Sequence, residues 1–239
     1  MNPGDVAFAF LALREHPYAR QMLQTLLAAG FVPSLVIEED SEVARVEHDK
    51  FLERLAGFPV APSMDTLLAG HHVPRAAVGN HNDEQCRARL EALAPDLIVL
   101  GGTRILKPYA FAPARHGTLN AHPGLLPEVR GSASVAWAIE LDEPIGCTCH
   151  YIEAGIDTGP IVGRRVIDVH RADTYEKLCH ATVVLSGVLM TEALQAYAAG
   201  ALTSVPQPAG GKAHRNMPPD AVQRVKAKLA SGRYAHYVD

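Results

Sequence analysis

Asn120-Ala121-His122-Pro123-Gly124-Leu125-Leu126-Pro127 stands where the chain changes rhythm, and a second short stretch, Gly155-Ile156-Asp157-Thr158-Gly159-Pro160, answers it downstream. An Asn and a His separated by one residue in extended chain point to the same side of a strand. An Asp on a glycine-flanked turn can then meet them. Acyl transfer to an amine requires such a set: an amide donor to polarise the carbonyl, an imidazole to manage charge and protons, and a carboxylate to hold the imidazole in the right state. The acceptor amine is itself the nucleophile, so no activated Ser or Cys is needed.

Upstream, apolar runs alternate with amphipathic segments. Residues 6–13 and 96–100 read as strands buried on both faces, with residues 31–37 and, more weakly, 73–78 as further strands. Residues 18–29 carry Met22, Leu23, Leu26 and Leu27 at helical spacing before Gly30. Residues 41–56 read as a charged helix, and Asn82 as the N-cap of a helix over 83–93. The alternation predicts right-handed crossovers and a parallel sheet. Downstream, 117–122 is a strand, 132–141 a helix that Ser132 or Ser134 could cap, and 146–153 with 161–169 a strand pair joined by the Asp157 turn. A long helix over 174–199 and a short basic one over 220–229 follow. The expected fold is three-layer α/β: a mostly parallel sheet extended by an antiparallel hairpin, with a main domain over 1–200 and a small C-terminal extension over 201–239.

The two stretches quoted first, with Pro95-Asp96-Leu97-Ile98-Val99-Leu100-Gly101-Gly102-Thr103-Arg104-Ile105-Leu106 upstream, resemble the formyltransferases that use 10-formyltetrahydrofolate. That family includes glycinamide ribonucleotide, methionyl-tRNA and sugar N-formyltransferases, and the likeness covers residues 80–170 well. It implies a Rossmann-like formyltransferase domain, 10-formyltetrahydrofolate as formyl donor, no metal, and Asn120, His122 and Asp157 as the catalytic residues. By the same resemblance, Asn120 and His122 stabilise the formyl oxygen, and Asp157 favours the charged imidazole and passes the amine proton on. Val99, Ile105 and Leu106 would line a pterin pocket with the Gly101, Gly102, Thr103 and Arg104 turn. Ile152, Glu153, Ala154 and Gly155 would form the opposite wall. His150 would stand behind the catalytic residues, and Thr148 would hold a water beside them.

Each of these features has a plainer reading. Gly101-Gly102 also suits a tight turn, and Arg104 reads better as a structural charge than as a partner for a folate carboxylate. Trp137 suits core packing. His16, His48, His71, His72 and His81 show no metal-ligand spacing and are expected to be solvated or locally bonded. Arg14, His16 and Tyr18 could touch an acceptor, but nothing there resembles a glycine-rich phosphate cradle.

With 239 residues, 48% hydrophobic, 20% charged and a net charge of −4, the chain reads as an ordinary globular protein without a polyanion-binding surface. It also lacks room for the tRNA-binding domain of the methionyl-tRNA branch. The expected acceptor is therefore a small metabolite bearing an amine or hydroxylamine-like nitrogen, with no nucleic acid, no membrane and a homodimer as one possible assembly. Cys86, Cys147, Cys149 and Cys179 form no CxxC pair and suit buried thiols in a reducing cytoplasm. No apolar stretch reads as a membrane span and no leader pattern is present, so a cytoplasmic location is expected. Competing readings are a formyltetrahydrofolate hydrolase, a non-catalytic folate-binding protein and, lacking GxGxxG, a nucleotide-dependent dehydrogenase.

Overall fold

The computed structural model describes residues 1–208 and 211–239. Its centre is a seven-stranded sheet of β1 (Phe8–Leu13), β2 (Leu35–Glu39), β3 (Arg75–Val78), β4 (Leu97–Leu100), β5 (Thr118–His122), β7 (Gly146–Tyr151) and β8 (Ile161–Val166). The order is β3-β2-β1-β4-β5-β7-β8. The first five strands run parallel, and β7 and β8 then add antiparallel to their neighbours. All six residues of β1 and all four of β4 are buried, because helices cover both faces of the sheet.

Alternate residues serve two cores. Phe8, Phe10, Val99, Leu119 and Ala121 face the larger one, under α1 (Pro17–Ala28) and α7 (Tyr175–Ala198). Ala9, Leu11, Ile98, Leu100 and Leu106 face the smaller one, with Leu90 of α4 (Glu84–Leu93). The two helices of the larger core approach closely because Gly187 has no side chain: a Cβ there would stand 2.8 Å from Thr25 Oγ1. The helix α7 is also apolar and long enough to cross a membrane, contrary to the sequence expectation, but 61% of its apolar window is buried within the fold. That burial identifies a core helix.

Several boundaries differ from those expected. The strand β2 begins at Leu35 rather than 31 and runs on through Glu38 and Glu39, whose charges are met by Arg75 and Arg104. The cap of α4 is Asp83, whose Oδ1 accepts from Cys86 N at 2.8 Å, while Asn82 instead ties down residues 105–107. The helices α2 (Glu42–Arg54) and α6 (Ser134–Leu141) are present, but neither predicted serine caps α6; its N-cap is Ala133. The short helices α3 (Met64–Leu68) and α5 (Pro108–Phe111) were not expected, nor was a two-residue pairing of β6 (Arg130–Gly131) with β9 (Ala213–His214). Beyond residue 200, Met217, Tyr234 and both Val225 and Leu229 of α8 (Pro219–Ala230) join the larger core.

Candidate active site

The site is built where the sheet turns antiparallel. Pairing of β5 with β7 sets Asn120 opposite His150 and His122 opposite Thr148, so all four side chains share one face. The intervening Leu119 and Ala121 point into the larger core and fix that face. The turn after β7 carries Asp157 back over it, with Oδ2 3.5 Å from His122 Nδ1 and Oδ1 3.6 Å from His150 Nε2. The structure therefore brings Asn120, His122 and Asp157 together, as the sequence predicted, and adds His150 to them.

Hydrogen bonding assigns the protons. His150 Nδ1 lies 2.8 Å from the Tyr151 carbonyl and must carry its proton there, which leaves Nε2 to accept from Asn120 Nδ2 at 3.2 Å. Burial pushes the His150 imidazole well below the ordinary histidine range; the Asp157 charge opposes this and His122 reinforces it. His150 is thus a neutral acceptor that turns the Asn120 amide. One of the two Asn120 N–H bonds is used in this way and the other is left for a substrate oxygen.

His122 departs from expectation. Its Nε2 donates to the Val129 carbonyl at 2.8 Å, with Ser134 Oγ at 3.3 Å, and the residue is 4% exposed. Only Nδ1 remains, and it faces Asp157. An imidazole so committed has only Nδ1 left to offer, and that nitrogen is turned to the Asp157 carboxylate. The Thr148 hydroxyl donates to the Gly124 carbonyl at 2.9 Å and accepts from Leu126 N at 3.1 Å, pinning the loop that follows His122.

The expected folate walls are partly redrawn. Val99 is fully buried in the larger core and offers a ligand no surface. Gly101 gives way to Phe10, whose ring would lie 2.3 Å from a Cβ, and Gly102 has a left-handed φ of 83°; both glycines serve the turn and the core. Arg104 is committed to Glu39, with Nε 2.7 Å from Oε2 and a second bond from NH2 to Oε1. Thr103 is half-buried on the same turn. Ile105 is 71% exposed, and Leu106 packs in the smaller core beside the half-buried Ile152. Exposed Glu153, Ala154 and Gly155 continue from Ile152.

Other candidates are used elsewhere. His16 and Tyr18 are buried, the Tyr18 hydroxyl donating to the Ala121 carbonyl, and Arg14 pairs with Asp40. His81 lies against Glu39 and His48 against Asp49. All four cysteines are free and buried, and burial pushes the Cys147 and Cys149 thiols up to about 12. On the far side of Ser134 lies a recess that also touches Pro123. It shares Arg54, Ala133 and Tyr175 with a cleft of about 340 Å³ between α2 and α8. Sequence reasoning missed Ser134, the Val129 carbonyl and Gln207, since none carries a motif.

The formyl transferase family model matches residues 54–194, which hold Asn120, His122, His150 and Asp157. The chain belongs to the formyl transferase family. It is 32% identical over 215 residues to a methionyl-tRNA formyltransferase of Aromatoleum aromaticum, covering 88% of this chain and 64% of that protein. The chain thus spans less than two thirds of that relative. Among solved structures, glycinamide ribonucleotide transformylase 1 from Symbiobacterium toebii superposes with a TM-score of 0.63 at 22% identity, covering 86% of this chain and 96% of that one. The formyltransferase PseJ from Anoxybacillus kamchatkensis, solved with UDP-4,6-dideoxy-4-formamido-L-AltNAc and tetrahydrofolate, gives 0.56 at 20% identity, covering 93% and 100%. These two likenesses bear on the fold.

Proposed function

We propose that this protein transfers a formyl group from 10-formyltetrahydrofolate to the amine of a small metabolite. The observation that carries the reading is the Asp157 carboxylate set 3.5 and 3.6 Å from two imidazoles, beside an Asn120 amide that His150 orients. Exposed Ile105 and half-buried Ile152, with the exposed residues 153–155, suit a flat pterin. The folate supplies the formyl group on N10 and leaves as tetrahydrofolate.

The chain's own residues do the rest. Asn120 donates its remaining N–H to the formyl oxygen as the amine lone pair forms the new C–N bond and the carbonyl π pair moves to oxygen. Asp157 accepts the proton that the attacking nitrogen must lose and shares it with His122 Nδ1. The proton is returned to the departing nitrogen when the oxygen pair re-forms the carbonyl. The acceptor must arrive uncharged, since an ammonium has no lone pair.

A second reading has its own support: the relative at 32% identity is named for methionyl-tRNA, and it lends none to the exclusion of nucleic acid made from charge and length. Incubation with 10-formyltetrahydrofolate and either a panel of small amines or methionyl-tRNA separates the two, with formamide measured by mass spectrometry. Formylation of small amines is the expected result. Formylation of methionyl-tRNA alone would replace the acceptor, and formate without formamide would make water the acceptor. Absence of both turnover and 5-formyltetrahydrofolate binding would end the reading.

A further inference from the structure

Gln207 follows the hairpin in chain order and belongs to no motif, yet its side chain touches the Asp157 turn at two points. Its Nε2 donates to the Asp157 carbonyl at 2.9 Å and to the Gly159 carbonyl at 2.7 Å, while Oε1 accepts from the Arg130 guanidinium at 2.8 Å. Both ends of the amide are therefore in use. Just before it, Val205 exchanges two backbone hydrogen bonds of 2.8 Å with Ile161 of β8, which anchors the segment to the sheet.

The turn needs this support. Asp157 has a φ of 51°, a left-handed conformation that is strained for a non-glycine residue. No residue larger than glycine fits at 159, since a Cβ there would lie 1.9 Å from the Tyr151 carbonyl oxygen. Asp157 Oδ2 also accepts from Gly131 N at 2.8 Å. Arg130 and Gly131 together make up β6, so one two-residue strand orients Gln207 and holds the carboxylate. The circuit Arg130–Gln207–Asp157–Gly131 closes on itself.

We infer that Gln207 is a positioning residue: its two N–H donors fix the Asp157 backbone so that the carboxylate stays between His122 and His150. The C-terminal segment thereby completes the site rather than merely covering it. The effect on turnover rests on the formyl-transfer reading given above; the effect on the turn does not.

Two substitutions separate this role from simple packing. Gln207→Ala removes every contact. Gln207→Glu keeps the size and the oxygen that Arg130 binds, but replaces the N–H donors with an oxygen facing two carbonyls. Both variants are expected to fold by thermal melting and to lose about tenfold in kcat. In an Asp157→Asn background, adding Gln207→Glu is expected to change the residual rate less than twofold, since its action runs through the carboxylate. Wild-type turnover in Gln207→Glu, or an undiminished loss in the Asp157→Asn background, would overturn the inference. Exchange of the Gly131 amide proton, followed by NMR, needs no activity and decides the case even where no acceptor is turned over. A rise of tenfold or more in both variants supports the positioning role, and unchanged exchange refutes it.

Discussion

Glu39 and Asp157 both lie at the carboxyl ends of sheet strands or just beyond them, and both lie against histidine. The resemblance ends at their hydrogen bonds. Glu39 is fully buried and takes two bonds from Arg104, one from His81 N at 2.9 Å and one from Ser41 Oγ at 2.6 Å. Burial alone would raise its carboxyl, but the bonds from His81, Arg104 and Ser41 outweigh that and hold it well below the usual carboxylate range. Asp157 takes one bond from Gly131 N and one faced but unbonded approach from each of two imidazoles. A saturated carboxylate can only stabilise; one with room left beside it can exchange a proton. The contrast also bears on the Gly101–Leu106 turn, whose one charge, Arg104, reads from the sequence as structural and pairs with Glu39.

The sharpest way to break the comparison is Glu39→Ala. It strands the Arg104 guanidinium and is expected to cost about 3 kcal/mol of stability, the low end for a buried pair because Arg104 reaches solvent. Chemical denaturation measures this, and kcat of the folded fraction should stay within twofold. Asn120→Ala and Asp157→Asn should do the reverse, each lowering kcat about a hundredfold, or about 2.7 kcal/mol, while leaving the denaturation midpoint nearly unchanged. If Asp157→Asn unfolds the protein and Glu39→Ala spares it, the two carboxylates have been assigned the wrong way round. Thr148→Val should cost about 1–3 kcal/mol, since Leu126 N loses its buried acceptor, and a silent variant would mean that the loop after His122 holds itself.

The remaining effect is on pH dependence. Burial pushes His16 down to about 3, helped by the charges of His48 and Arg54, and it lowers His150 in the same direction. Each histidine is neutral when folded and binds a proton near pH 6.5 when unfolded, so the unfolded chain holds more protons below that pH. Stability should therefore fall as pH drops from about 6.5 toward the folded values, by at most about 1.4 kcal/mol per pH unit for each proton. Glu39, lowered in the fold, adds its loss at more acid pH still. Thermal melts between pH 7 and 4 should show the slope, and His16→Leu should remove one proton's share of it.

Much of this was legible in the sequence because it rests on local pattern. The buried runs at β1 and β4 could hardly be anything but central strands, and Asn120 and His122 share a face by strand geometry alone. The opposition of His150 to Asn120 depends on register, which the hairpin fixes only once folded. What escaped detection is held by distant partners. Glu38 and Glu39 looked like the end of a strand because nothing near them announces Arg75 and Arg104, respectively 37 and 65 residues away. Gln207 lies 50 residues from Asp157. Val99 was misplaced because a motif gives a residue's neighbours but not which face of a fully buried strand it occupies. Helices of four or five residues, such as α5 and α3, are too short to show a period.

The single tryptophan acquires a use from its position. Trp137 on α6 stacks on the His214 ring, centroids 4.5 Å apart, and donates from Nε1 to the Arg215 carbonyl at 2.8 Å. Its indole is therefore an optical gauge for the contact between α6 and residues 214–215. A protonated imidazole quenches indole emission, and a departing one restores it. The chain thus brings its own fluorescent reporter, with no label added, for whether residues 214–215 stay seated against α6.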